Sequence, residues 1–261
     1  MPITAAETAK RPLVGLSRDY PAGFAAALHS HPRAQLLYAV SGVMRIETPT
    51  AAFMVPPSMA LFLPAHAPHG IRMDGPVAMR ALLLREDAAA RARAGTDVIA
   101  VSPLLREVIL AACAEPLHWD RRGRGRWLAE LALDEIARAT ALPLGLPTPC
   151  DPRLLRAVAA LRANPADPRR LEDMADFVGA SSRTLARLFR TETGLSFRQW
   201  RQQARMAEAI SALSTGVTPA RAATLAGFAG QAAFGAAFRN SFGMTPGQAR
   251  LTARTHQSLR A

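Results

Sequence analysis

The chain has 261 residues, 49% of them apolar, enough for two ordinary domains and too apolar for disorder. Its only cysteines, Cys113 and Cys150, exclude a disulfide scaffold and fit no zinc-finger spacing. No apolar run is long enough to span a bilayer, and residues 1–18 lack the basic start and apolar stretch of a secretion signal, so a cytoplasmic protein with no membrane partner is expected.

The net charge of +12 is unevenly spread. Residues 151–261 hold 16 arginines against 7 acidic residues, whereas residues 1–150 hold 16 cations against 13 acidic residues. A basic half joined to a nearly neutral one points to a polyanion partner. The near-exclusive use of arginine has a second explanation in codon composition.

From about Leu13 to Leu84, short apolar runs such as Gln35–Val40, Val43–Glu47 and Leu61–Leu63 alternate with Ser41-Gly42, Thr48-Pro49, Pro56-Pro57 and Gly75-Pro76. Short strands with regular turn signals predict an all-β sandwich or barrel over residues 13–85. Over residues 86–141 the period becomes helical. Leu104, Leu105, Val108, Ile109 and Ala112 form one stripe behind a Ser102 cap and Pro103; Leu128, Leu131, Ala132, Ile136 and Ala139 form another. This helical pair either supports the barrel or mediates homodimerisation. Residues 142–152 contain four prolines and read as an extended linker.

From Arg153 onward the pattern is helical. The predicted helices are 153–164, 170–178, 182–193, 196–214, 219–226 and 231–242, punctuated by Gly179, Gly194, Gly216, Gly227, Gly230 and Gly243. Within this region Leu185…Phe189-Arg190…Gly194…Gln199 recurs 49 residues later as Phe234…Phe238-Arg239…Gly243…Gln248. Two copies suggest a doubled supersecondary unit rather than a solenoid.

Each copy reads as helix, tight turn, helix. In the first, Leu171, Met174, Ala175 and Val178 share a face, Ser181 or Ser182 caps the next helix, and Leu185, Leu188 and Phe189 turn inward. Arg183, Thr184, Ala186, Arg187 and Arg190 then face out, a basic surface suited to the major groove, where arginine grips a guanine edge with two donors. In the second, Thr224, Leu225 and Phe228 are expected to pack beside Phe234, Ala237 and Phe238. Gln231, Ala232, Gly235, Ala236 and Arg239 face out. So few hydrogen-bonding groups imply contact through backbone and DNA shape, with Gln231 as base reader.

These residues closely resemble the AraC/XylS family of transcription regulators. The match is carried by Leu185-Ala-Arg-Leu-Phe-Arg-Thr-Glu-Thr-Gly-Leu-Ser-Phe-Arg-Gln-Trp200, by Ala226-Gly-Phe228, and by Phe234…Phe238-Arg239…Phe242-Gly243-Met-Thr-Pro246…Arg250. The resemblance implies a double helix-turn-helix domain over residues 153–253 that binds promoter DNA, with Arg183, Ala186 and Arg187 where the first recognition helix meets bases and Gln231, Ala232 and Ala236 where the second does. Ser182, Thr184, Arg190 and Arg239 are expected at the DNA beside them. Many members carry a long polar side chain where this chain has Ala236. RNA polymerase is a further partner for such a protein.

Upstream, Gly23…His29-Ser30-His31…Gln35…Gly42 has the spacing of the first cupin motif, with Gln35 in place of glutamate, and Pro64-Ala-His66-Ala-Pro-His69 resembles the second. There Ser58 and His66 stand in for glycines and Met73 for asparagine. In cupins the corresponding side chains face into a barrel and hold a metal. The resemblance thus implies Zn2+, Ni2+ or Fe2+ on His29, His31 and His69, with Gln35 a weaker ligand. Two other readings stay open: a site that has lost its metal and holds an organic effector, and histidines that are merely hydrogen-bonded.

The fold class is therefore α+β: a small cupin-like β-barrel with a helical pair, then an all-α domain of two helix-turn-helix units. The function expected is a DNA-binding regulator, not an enzyme, governed by a small-molecule or metal effector through the linker and helical pair. The alternatives are a metal-dependent cupin enzyme with an attached DNA-binding module, disfavoured by Gln35 and the lack of a general base, and an architectural DNA binder without effector.

Overall fold

The period-2 runs of the first third fold as strands, and the 3.6-residue stripes that follow fold as helices. The structure, a computed structural model, describes residues 3–73, 75–142 and 144–251. In chain order it contains α1 (Ile3–Glu7), β1 (Leu13–Tyr20), β2 (Ala25–His29), β3 (Ala34–Ser41), β4 (Met44–Glu47), β5 (Ala51–Val55), β6 (Met59–Leu63), β7 (His69–Met73) and β8 (Val77–Leu84). Next come α2 (Glu86–Ala92), β9 (Asp97–Ala100), α3 (Pro103–Ala114), α4 (Arg124–Arg138), β10 (Ala141–Leu142) and β11 (Gly145–Pro147). The rest is helical: α5 (Pro152–Ala163), α6 (Leu171–Val178), α7 (Ser182–Thr193), α8 (Phe197–Ser214), α9 (Pro219–Leu225) and α10 (Gln231–Phe242). Among the described residues no helix is long and apolar enough to cross a membrane.

Two compact units result, residues 3–48 with 55–142 and residues 49–54 with 144–251. In the first, a six-stranded antiparallel sheet runs β1-β8-β3-β6-β9-β10, and β4-β7-β2 belong to a second sheet. Strands β3, β6 and β8 are buried almost end to end, because both faces of their sheet are covered. Alternation assigns the faces. Leu36, Tyr38, Val40, Phe62, Leu82 and Leu84 join Leu105, Val108, Ile109, Ala132 and Ile136 of α3 and α4 in one core. Leu16, Gln35, Leu37, Met79 and Ala81 line a cavity on the other face.

The helical pair thus covers the sheet. Helix α3 starts as its sequence demands: the Ser102 side chain accepts from the Leu105 amide at 2.9 Å and Pro103 occupies the first turn. It lies so close to β1 that a Cβ on Gly15 would stand 2.4 Å from the Ala112 carbonyl oxygen. Two features depart from the helical pattern expected over residues 86–141. Strand β9 lies within it and extends the sheet by pairing Leu61 with Val98 and Ala60 with Ile99, and β10 adds one further short strand.

In the second unit the proline-rich stretch is extended, as read, and also paired: Gly145, Leu146 and Pro147 of β11 oppose Phe53, Ala52 and Ala51 of β5. Leu146 packs against a core of Leu154, Val158, Leu161, Met174, Val178, Leu185, Leu188, Phe189, Phe197 and Trp200. The indole of Trp200 donates to the Pro147 carbonyl at 3.3 Å. The observed helix ends fall within one residue of those predicted, because caps are local signals. Residues 252 and 253, the end of the predicted DNA-binding domain, lie outside the described residues.

Candidate functional site: a paired helix-turn-helix surface and a histidine-lined cavity

The duplication seen in the sequence is reproduced in hydrogen bonds. Helix α8 opens with a capping box in which the Ser196 amide donates to Gln199 Oε1 and the Gln199 amide to Ser196 Oγ. Forty-nine residues on, Thr245 and Gln248 make the same pair of bonds. Gly194 and Gly243 each end the preceding helix in the left-handed region, at φ 70° and 67°. Arg201 donates to the Arg169 carbonyl at 2.8 Å and Arg250 to the Gly216 carbonyl at 3.1 Å. In both copies an arginine thus ties the helix after the recognition helix to the loop that opens the unit.

The first unit is α6, a turn, and α7. Gly179 takes the left-handed conformation at φ 70°, and the Ser181 hydroxyl accepts the Thr184 amide at 3.2 Å. Leu185, Leu188 and Phe189 are buried, while Arg183, Arg187 and Arg190 are exposed, and those three side chains make no ion pair among the described residues. Ser182, Thr184 and Ala186 are half-buried rather than fully outward. The Thr184 hydroxyl shares a 2.9 Å hydrogen bond with the Ser181 hydroxyl.

The second unit is α9, a turn, and α10. Its core is aromatic: Phe228 and Phe234 stand 5.4 Å apart, Phe234 and Phe238 5.6 Å, and Phe238 and Phe242 4.5 Å. Thr224, expected in this core, is exposed instead, its hydroxyl donating back to the Ala220 carbonyl. Gln231, Ala232, Ala236 and Arg239 are exposed as read, whereas Gly235 is half-buried.

Composition overstated the supply of free cations in this half. Arg156, Arg201, Arg205 and Arg250 donate to backbone carbonyls, and Arg153 and Arg169 pair with Asp151 and Asp167. Burial lowers the pKa of Arg201 and Arg205 from the ordinary arginine value. Helix α7 carries three exposed arginines, Arg183, Arg187 and Arg190, and Arg162, Arg170, Arg198, Arg221 and Arg239 are exposed elsewhere in this half.

The first unit of the fold holds a cavity of about 450 Å3 lined from both sheets. Its walls include Leu16, Phe24, Leu37, Ile71 and Met79, with His29, His31, Gln35 and His69 among the polar lining residues. The three imidazoles offer ligand atoms that all lie within 4.8 Å of one another. Strand pairing sets part of this, since His29 of β2 is opposite His69 of β7. Gln35, the expected weaker ligand, is buried on β3 in the same cavity.

Each ring is oriented through Nδ1. His29 Nδ1 meets the Ala27 carbonyl at 2.7 Å, His69 Nδ1 the Ala67 carbonyl at 3.0 Å, and His31 Nδ1 a carboxylate oxygen of Glu7 at 2.5 Å. With Nδ1 donating in all three, each Nε2 is left as a lone-pair donor. His69 Nε2 is buried without a hydrogen-bond partner, and burial, more than the two neighbouring imidazoles, pushes its pKa below the usual range. A buried, unpaired imidazole nitrogen in a cluster of three histidines is the donor chemistry a first-row divalent ion takes. His66 is not part of the cluster. It sits in the loop before β7 at φ 62° where the cupin motif has glycine, and its amide donates to the His31 carbonyl at 2.7 Å. Glu7 was not singled out by sequence reasoning; nothing local marks a partner 24 residues from His31.

Two family profiles match the chain, one described as an AraC-like ligand binding domain over residues 12–141 and one as a helix-turn-helix domain over residues 174–252. The HTH-type transcriptional regulator NimR of Escherichia coli strain K12 is 32% identical over 235 residues, spanning 89% of this chain and 86% of that protein. The HTH-type transcriptional regulator RipA of Corynebacterium glutamicum is 43% identical over 113 residues, 43% of this chain and 34% of that one. Among solved structures, an AraC-type transcriptional regulator from Chromobacterium violaceum aligns at 30% identity over 39% of this chain and 92% of its own, with a TM-score of 0.37. The chain is thus a member of the AraC family of helix-turn-helix transcription regulators, with a ligand-binding domain preceding a DNA-binding domain.

Proposed function

We propose that the protein binds operator DNA in the cytoplasm as a homodimer and that a small ligand in the histidine-lined cavity sets its affinity for that DNA. Its work is binding rather than turnover. On the DNA side, Arg183, Arg187 and Arg190 of α7 are the principal side chains offered to the duplex, with Ser182, Thr184 and Ala186 at its edge. Arg187 reads a base and Arg190 meets phosphate. On α10, Gln231 reads a base, Ala232 and Ala236 make close apolar contact, and Arg239 meets phosphate. The homodimer contact is assigned to the outer face of α3 and α4, where Leu104, Trp127 and Leu131 are exposed. Trp127 and Leu131 share one side of α4 by their four-residue spacing. RNA polymerase is the partner through which such binding reaches transcription.

The ligand site is carried by one observation: three histidines whose Nδ1 atoms are all engaged bring ligand atoms within 4.8 Å of one another in a largely apolar cavity. His29, His31 and His69 would hold a divalent Zn2+, Ni2+ or Fe2+ ion, with Gln35 adjoining. Such an ion would supply positive charge and Lewis acidity to the cavity. The apolar remainder of the cavity suits the body of a small organic effector.

The test is calorimetric titration of the purified chain with first-row divalent ions, followed by operator-affinity measurements with and without the bound ion. Heat of binding that disappears in His69→Ala, together with a changed operator affinity, is expected. No heat with any ion removes the metal. Operator affinity indifferent to every bound ligand removes the coupling, since a ligand shifts an equilibrium only by its differential affinity for the two states.

A further inference from the structure

The three imidazoles are not oriented alike. His29 and His69 each use the carbonyl two residues back in their own chain segment, Ala27 and Ala67. Both acceptors are local and neutral. At His31 the acceptor is the Glu7 carboxylate, brought in from α1 at 2.5 Å, with both side chains largely out of solvent at 12% and 15% exposure. No residue lining the cavity is acidic among those described, and the position where cupins place glutamate holds neutral Gln35.

We propose that Glu7 is a positioning residue for the three-histidine centre, orienting His31 through Nδ1 and supplying from behind that ring the negative charge absent from the cavity wall. The proposal rests on the metal reading above. Glu7 is held for this task by the chain segment it serves. Arg33, two residues beyond His31 and itself buried, donates Nε to the Glu7 carbonyl at 2.9 Å. The same guanidinium reaches the carbonyls of Ala9, Arg11 and Leu83. The backbone of Glu7 and the ring it contacts are therefore fixed relative to each other from both ends of one short stretch.

The chemistry follows from the charge inventory. Three neutral imidazoles and an amide carry no negative charge to offset a divalent ion, and the charged residue that lines the cavity, Arg18, is a cation. A carboxylate accepting the Nδ1–H makes that imidazole a better donor at Nε2 and locks both its tautomer and its plane. Backbone carbonyls do the second of these but contribute no formal charge. The histidine with the charged partner should therefore depend on that partner more than its two neighbours depend on theirs.

Co2+ alone is the probe, titrated into the full chain and read by ligand-field absorption and by competition with a chromophoric chelator. Wild type, Glu7→Gln, Glu7→Ala and His69→Ala are compared, with metal-free melting temperatures taken alongside. Wild type should bind one Co2+ and His69→Ala should lose it. Glu7→Ala should weaken binding about 10- to 100-fold. Glu7→Gln, which keeps an acceptor but no charge, should recover part of that loss and shift the absorption bands. Glu7 variants that bind Co2+ within twofold of wild type with the same spectrum would overturn the role of Glu7, even if they melt earlier. A wild type that binds no Co2+ would instead sink the metal reading itself, and the role of Glu7 with it.

Discussion

The two helix-turn-helix units share a plan and differ in what they present. Both close their recognition helix with a left-handed glycine, follow it with the same capping box, and tie the next helix back by an arginine to a loop carbonyl. Yet α7 begins on a serine cap and exposes three arginines, whereas α10 begins at Gly230 with no side-chain cap and exposes three alanines, Gln231, Asn240 and a single arginine, Arg239. The first unit buries Leu185, Leu188 and Phe189 and still leaves Arg183, Arg187 and Arg190 exposed. The second spends its larger residues, Phe234, Phe238 and Phe242, on its own core. A duplicated scaffold can therefore repeat its hydrogen bonds while its two copies expose different side chains, and unequal shares of recognition are the expected consequence.

The turns offer the largest expected effect. Gly179 and Gly227 both sit at positive φ, 70° and 72°, but only at Gly227 would a Cβ meet backbone, 2.6 Å from the Ala166 Cα. Gly179→Ala should cost about 1–2 kcal/mol of left-handed strain. Gly227→Ala adds overpacking and should cost about 2–5 kcal/mol in all. Urea denaturation of the two variants measures this, and equal losses would mean that the two turns are packed alike.

Next in size is readout. Arg187→Ala should lose about 1–3 kcal/mol of discrimination at one base pair. Arg239→Ala, on the second unit, should instead weaken binding to every sequence and lower the salt dependence by about one counterion. Binding curves on matched and mutated operators at several salt concentrations separate the two patterns; a base-specific loss from Arg239→Ala would erase the asymmetry.

The smallest effects lie at the caps. Ser181→Ala removes the acceptor of the Thr184 amide and should cost about 1 kcal/mol. Gly230→Ser adds an acceptor where none exists and should gain only a few tenths of a kcal/mol. Thermal melts resolve both, and a neutral Ser181→Ala would show that α7 is held by tertiary packing alone.

Much of this asymmetry is legible in the sequence, because caps, left-handed glycines and helical stripes act over four or five residues. The 49-residue echo gave the two units, and the resemblance of residues 23–42 and 64–69 to the cupin motifs gave the cluster of His29, His31 and His69. What escaped is long-range or very short. Strand β9 has four residues, too few to interrupt a helical reading. Exposed Thr224 shows that a small polar residue beside a core needs no place in it. The diversion of Arg156, Arg201, Arg205 and Arg250 to backbone carbonyls, and the partnership of Glu7 with His31, depend on chain segments that meet only in the folded protein.

Unequal recognition by two matched units is tested most directly by selecting bound operators from a randomised DNA library with the wild-type protein. Two footprints about one helical turn apart are predicted, one with several sharply preferred bases and the other with a preference only at the base met by Gln231, tolerant elsewhere except for the effect of sequence on groove shape. Equally sharp preferences in both footprints, or no preference in either, would contradict the account.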